Sequence, residues 1–156
     1  AIGFIYAQAD IALVSVATAA SYGLGSAIVG SGTAAASTTL LAEAQRIGSS
    51  TVTQVREHVL WRHADLLGIT IKGNMQDSSN PMVQTALERI NSISNAPERI
   101  IANTFKGREV FEYIASGIGV VRDRTTGEVV TILSRDAAGM QKLQGFVDNG
   151  TAKWLK

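Results

Sequence analysis

Two histidines and a set of arginines and lysines are the side chains best suited to chemistry in this sequence. His58 and His63 lie five residues apart on a predicted helix that also carries Arg56 and Arg62. This spacing differs from the i, i+4 spacing that places two histidines on one metal ion, and no neighbouring carboxylate pair completes a site. We therefore expect neither a metal nor a cofactor, and interpret His58 as structural.

Cleavage of RNA is a reaction that such groups can carry out without a metal. RNA supplies its own nucleophile, the 2′-hydroxyl, so the protein needs a base, donors or cations around the phosphate, and an acid for the leaving oxygen. A histidine near its ordinary pKa of about 6.5 suits the base or acid role at neutral pH. The basic side chains expected to bind the RNA substrate are Arg62, Lys72, Lys106, Arg108 and Arg122, whereas Glu109 and Glu112 are interpreted as solvated charges.

Length and composition indicate a folded chain of ordinary charge. The chain has 156 residues, which is long enough to bury roughly 68–70% of its unfolded surface in a single core. Its 14 basic and 13 acidic residues give a net charge of +1, too balanced for a protein that binds nucleic acid by bulk attraction. The absence of cysteine excludes disulfides and thiolate chemistry.

The charges are divided unevenly between two regions. Residues 1–50 contain only Asp10, Glu43 and Arg46 as charged groups, among many Ala, Gly, Ser and aliphatic residues. This composition predicts a hydrophobic helical segment, either buried helices that break near Gly23–Gly25 and Gly30–Gly32 or a segment that contacts a membrane. Residues 51–156 carry the remaining charges and are predicted to form the functional domain.

Residues 51–156 are predicted to form an α+β domain in which helices pack on one face of a small antiparallel sheet. Helical spacing of apolar residues predicts helices over 51–67, ending at Gly68, over a stretch starting at Pro81, and over 137–149. Runs of β-branched and aromatic residues separated by short turns predict a sheet of about four strands. These predicted strands are Arg99–Phe105, Glu109–Ile114, Ile118–Arg122 and Glu128–Leu133.

The order of motifs resembles the nuclease domain of colicin D and the colicin-D-like C-terminal domains of contact-dependent growth inhibition toxins. The resemblance runs from about Arg56 to the C-terminus and rests on motif order and spacing. Its elements are Arg62–Ile69, Gly73–Asn74, Val83–Asn91, Thr104–Gly107, Val110–Tyr113, Gly119–Asp123, Gly127–Thr131, and a closing helix with Gln141, Leu143, Val147, Asn149 and Gly150.

This resemblance implies a transfer RNase that cuts in the anticodon loop. It implies that His63 is the catalytic base or acid and that Thr131 takes the place of the family's active-site serine. It also implies that Arg62 occupies one of the two basic positions that the family has on this helix. Leu60 and Leu133 depart from the family pattern, which has a lysine and a tryptophan there, so no particular tRNA species follows.

The resemblance also implies a biological setting. The chain would be the C-terminal part of a larger secreted toxin, would act in the cytoplasm of a competing bacterium, and would be blocked by a cognate immunity protein. That partner is expected to be acidic, because it must imitate RNA phosphates. Residues 1–50 would assist passage across the target's inner membrane. The alternative is a membrane-permeabilising effector that acts through residues 1–50, with a C-terminal domain that only binds a partner.

Overall fold

The computed structural model describes residues 29–156, with side chains from Thr39 onward. The chain divides into two compact units, residues 1–43 and 44–156. The second unit therefore begins at Ala44, ahead of the boundary at residue 51 predicted from composition. The predicted break near Gly23–Gly25 lies outside the described residues.

The second unit is an α+β fold built on a five-stranded antiparallel sheet, as expected. The strand order is β4-β3-β2-β1-β5, so the first four strands form the predicted meander. The fifth strand is a two-residue addition on the edge of β1, which the sequence did not predict. The strands are β1 (Arg99–Phe105), β2 (Arg108–Ala115), β3 (Ile118–Asp123), β4 (Val129–Ser134) and β5 (Lys153–Trp154).

Two hairpins set the register of the three central strands. Each has a two-residue turn in which both residues have positive φ: Lys106 at 51° with Gly107 at 80°, and Ser116 at 55° with Gly117 at 75°. Turns of this kind match the right-handed twist of the strands that they join. These two hairpins confirm the short turns expected between the first three predicted strands.

Within residues 29–156 the structure has four helices, together with one 3-10 turn over Ala64–Leu67. The third of them starts as predicted, with Pro81 in its first turn and the side chain of Asn80 accepting a hydrogen bond from the backbone N–H of Met82. The 3-10 turn ends at Gly68, whose φ of 74° only glycine adopts easily. The helices are α1 (Val29–Ser49), α2 (Glu57–His63), α3 (Pro81–Asn95) and α4 (Ala137–Asp148).

The predicted helix over 51–67 is wrong in its first third, because α2 begins only at Glu57. Asn91 of α3 explains the difference. Its side-chain oxygen accepts from the backbone N–H of Val52 at 2.7 Å, and its amide nitrogen donates to the Val52 carbonyl at 2.9 Å. These bonds hold the backbone of Val52 against α3, and residues 51–56 are non-helical.

Both faces of the sheet are covered, in contrast to the open face predicted from alternation. On one face the hydroxyl of Tyr113 donates to the carbonyl of Ala44, near the end of α1, at 2.6 Å. On the other face Leu143 of α4 is fully buried in a cluster with Ile101 and Ile114. Burial on both faces explains why five consecutive residues of β2, from Val110 to Ile114, are buried.

Glu112 is one of these buried residues, which corrects its interpretation as a solvated charge. Its side chain is 3% exposed and forms a two-pronged ion pair with Arg135, whose side chain is 8% exposed. The guanidinium of Arg135 also donates to the carbonyl of Gly139 at 3.3 Å. A buried carboxylate needs such a partner, because removal from water without one is costly.

Helix α1 differs from the expectation of a break at Gly30–Gly32. It begins at Val29 and includes both glycines. Among the described residues, no helix is both long and apolar enough to span a membrane. The proposed membrane role of residues 1–50 falls largely on residues 1–28, which lie outside the described part.

Candidate active site at His63 and Thr131

Helix α2 lies alongside the edge strand β4 and is fixed to it at two points. At the start of the helix, Arg56 forms an ion pair with Glu128 at 2.7 Å. At its end, the imidazole Nε2 of His63 lies 3.5 Å from the hydroxyl oxygen of Thr131. Seven helical residues rise about 10.5 Å, and three strand residues span about 10 Å. The helix and the strand therefore match in length between the two contacts.

Burial of two neighbouring apolar residues holds α2 in this position. Val59 and Leu60 are each 1% exposed, whereas Trp61 and Arg62 face solvent. Leu60, one of the two departures from the colicin-D-like pattern, is therefore a core residue of this chain. This amphipathic distribution turns His63, at the end of α2, toward the sheet.

The environment of His63 favours its neutral form. Partial burial lowers the pKa of the imidazole below 6.5, because a charged ring loses hydration there. The nearby positive charges of Arg62 and His58 lower the pKa further, while the carboxylate of Asp65 acts in the opposite direction. At neutral pH the ring is thus mainly unprotonated and able to accept a proton.

Thr131 contributes a hydroxyl group from a sheltered position. It is 8% exposed and lies in register opposite Val121 of β3. A separation of 3.5 Å is at the outer limit of hydrogen bonding. Contacts of this kind are often long in an enzyme without substrate and tighten when substrate binds. The geometry thus suits a hydroxyl that orients the imidazole.

Three of the predicted phosphate contacts are exposed. Arg62 lies next to His63 in the chain and close enough to lower its pKa. Lys72 lies in the loop before α3, and Lys106 lies in the turn between β1 and β2 with its ammonium 5.4 Å from the centre of the Phe105 ring. Of the three, Arg62 is the one that the structure brings to His63.

Arg122 does not have the exposed position expected of a phosphate contact. It is 2% exposed and donates to the carbonyls of Gly127 and Ser50 and to the hydroxyl of Ser94. Its role is to connect the end of α1, α3 and the β3–β4 loop. The prediction that Arg122 contacts RNA is therefore corrected.

Arg108 is also engaged within the protein. It pairs with Asp123 at 2.9 Å and with Glu128 at 3.1 Å, which raises the pKa of its guanidinium. Because Glu128 also holds Arg56, this network fixes the start of α2 to the sheet. We therefore assign Arg108 to the positioning of α2 rather than to substrate.

A cleft of about 870 Å³ opens beside the N-terminal end of α2. It lies between residues 53–58, the loop 75–78 and the first half of α3. Sequence patterns did not indicate it, because its walls come from separate parts of the chain. In the described part of the chain, no group of three or more His, Cys, Asp or Glu residues could hold a metal ion.

Comparison of the chain with protein-family models, with curated proteins and with solved structures gave no significant match. The resemblance to colicin-D-like domains therefore stays a prediction from sequence. The geometry around His63 and Thr131 is the structural basis for the assignment that follows.

Proposed function

We propose that residues 44–156 form a metal-independent endoribonuclease that cleaves tRNA in the anticodon loop. The observation that carries the proposal is the position of the His63 imidazole, whose Nε2 lies 3.5 Å from the Thr131 hydroxyl on the edge strand. The two groups come from positions 68 residues apart, and the resemblance to colicin-D-like domains implies that both belong to one site.

In the proposed reaction His63 acts as the general base. Its unprotonated nitrogen takes the proton of the ribose 2′-hydroxyl, and the 2′-oxygen forms a bond to phosphorus. The bond between phosphorus and the 5′-oxygen breaks, the 5′-oxygen takes a proton from water, and His63 later returns its proton to water. The products carry a 2′,3′-cyclic phosphate and a 5′-hydroxyl. DNA is not a substrate, because it lacks the 2′-hydroxyl.

Arg62 has the charge and the position to assist this reaction. Its guanidinium is exposed beside His63, where it can donate to the non-bridging oxygens of the scissile phosphate. Charge on those oxygens grows in the transition state, so a fixed cation stabilises the transition state more than the bound substrate. Lys72 and Lys106 would contact phosphates farther along the RNA.

The choice of tRNA and the biological role rest on the resemblance to colicin-D-like domains. In that role the chain is part of a secreted toxin, and cleavage in the cytoplasm of a competing bacterium stops translation. An acidic immunity protein would protect the producing cell by covering Arg62 and His63. Contact of residues 1–50 with the inner membrane belongs to the same proposal.

The test is incubation of the full chain with total tRNA in the presence of EDTA, followed by mapping of fragment ends. We expect discrete fragments with 2′,3′-cyclic phosphate ends, and a loss of about 10²- to 10⁴-fold in rate for His63→Ala, the range for general base catalysis. Lys142→Ala, an exposed change on α4, is the matched control and should cleave normally.

Two results would overturn the proposal. One is cleavage that survives His63→Ala at the wild-type rate, and the other is cleavage that EDTA abolishes. Intact tRNA together with dye release from liposomes would instead support the membrane-permeabilising effector.

A further inference from the structure

The cleft beside α2 has an apolar wall formed by four of its lining residues. Val55, Met75, Val83 and Leu87 supply this wall. Val55 and Val83 are buried, which fixes the position of the wall. Its volume of about 870 Å³ lies within the range of pockets that hold small organic ligands. A nucleobase presents two apolar faces to such a surface.

The rim of the cleft carries groups that recognise the edge of a base. Gln54, Gln76 and Glu57 line it, and the Gln76 amide donates weakly to the Glu57 carboxylate at 3.4 Å. Arg56 also lines the cleft, but its charge is matched by Glu128 at 2.7 Å. The carboxylate of Glu57 therefore makes the rim more favourable for an uncharged N–H donor than for a phosphate.

The cleft is close to the proposed catalytic group. Helix α2 carries Glu57 and His58 at the cleft and His63 at its other end. Five helical residues separate the two histidines by about 7.5 Å along the axis and by about 140° around it, so an RNA strand that reaches both must curve around α2. His63 itself does not line the cleft. A base in the cleft would thus belong to a nucleotide near the cleaved linkage.

We infer that this cleft binds a nucleobase of a nucleotide near the cleaved linkage, and that Glu57 selects bases that carry an exocyclic amino group. The inference rests on the proposed ribonuclease function and adds a base preference to it. Cytosine offers its amino group to the carboxylate, whereas uracil presents a carbonyl oxygen at the same position. A carboxylate facing a carbonyl oxygen gains no hydrogen bond and is repelled.

The test compares two RNA probes that differ mainly at this edge. Hexanucleotides of cytidine and of uridine, both 2′-O-methylated so that no nucleophile is present, are titrated into the full chain and followed by fluorescence anisotropy. We expect the cytidine probe to bind about tenfold more tightly, which corresponds to about 1.4 kcal/mol. Glu57→Gln should reduce the difference to less than twofold, because an amide can donate to the uracil oxygen as well as accept.

Two further variants make the result specific. Glu98→Gln removes an equally exposed carboxylate that does not line the cleft and should leave the tenfold difference intact. Ser78→Trp places a ring in the cleft from its exposed loop and should weaken binding of the cytidine probe to the level of the uridine probe.

Equal binding of the two probes by the wild-type chain, binding of neither, or a difference that survives Glu57→Gln would overturn the inference. These results are separate from the test of the enzyme. If His63-dependent cleavage is observed without base discrimination, the result supports the proposed ribonuclease and refutes the proposed base site. If base discrimination is observed without cleavage, the result supports nucleobase binding in the cleft and refutes the proposed ribonuclease.

Discussion

Replacement of Thr131 by valine tests whether this hydroxyl acts through His63. The change removes the hydroxyl and keeps the β-branched shape in a strand position that is 8% exposed. The lost contact is a neutral pair at 3.5 Å, and a neutral hydrogen bond contributes about 0.5–1.5 kcal/mol. If this energy is expressed only in the transition state, the rate falls about 2- to 12-fold at 1.36 kcal/mol per tenfold.

The assay is single-turnover cleavage of tRNA, with KM measured separately from kcat. Because Thr131 is assigned to orient the imidazole, we expect the loss in kcat and little change in KM. Thr131→Ser keeps the hydroxyl and should recover most of the rate. In a His63→Ala background, Thr131→Val should have no further effect, since the group that the hydroxyl orients is gone.

The double variant gives the result that would refute this reasoning. An additional 2- to 12-fold loss from Thr131→Val in the absence of His63 would show that the hydroxyl contacts RNA independently. A rise in KM with unchanged kcat would lead to the same conclusion.

Two other predictions concern acidity and packing. The neutral form of His63 is the active one, so the rate of cleavage should rise as the pH is raised from the acid side. Because the pKa of His63 is lowered, the inflection of the pH–rate profile should lie below 6.5. An inflection above 6.5 would contradict this prediction. Gly119→Ala should lower the free energy of unfolding, measured in urea, by about 1–3 kcal/mol. The added methyl group would overlap the Glu112 carboxylate that is paired with Arg135. Gly145→Ala is the control, because the methyl group added there meets no other atom.

The fold could be predicted from the sequence where local rules decide the structure. Each of the four long strands has β-branched residues between turn signals, and the turns at Lys106–Gly107 and Ser116–Gly117 need positive φ. The start of α3 follows from Asn80 and Pro81 in the same way. Such features depend on neighbours within a few residues.

Features that depend on distant residues could not be predicted. Asn91 holds Val52 from 39 positions away and prevents an earlier start of α2. Glu112 lies on a face covered by α4, and its buried charge is matched by Arg135, 23 positions away. The two-residue strand β5 carries too short a pattern to be recognised.

The same distinction applies to the candidate site. His63 and Thr131 were assigned by a resemblance that spans the domain, and the structure brings them together. Arg122 was misassigned although a signal was present, since alternation places it on the same face as the fully buried Val120. The cleft has no local pattern, because its walls come from four separate parts of the chain: residues 53–58, the loop 75–78, the first half of α3, and Glu128.

The attachment of the end of α1 sets a limit on where the domain can be separated from the chain before it. Tyr113 donates to the carbonyl of Ala44, and Ser94 accepts from Arg122 while it donates to the carbonyl of Gly48. A fragment that begins after Gly48 would lack both carbonyl acceptors, and each lost hydrogen bond would cost about 1–3 kcal/mol. A stable form of this domain must therefore begin at or before Ala44 and keep Ala44–Ser49 of α1 as part of its core.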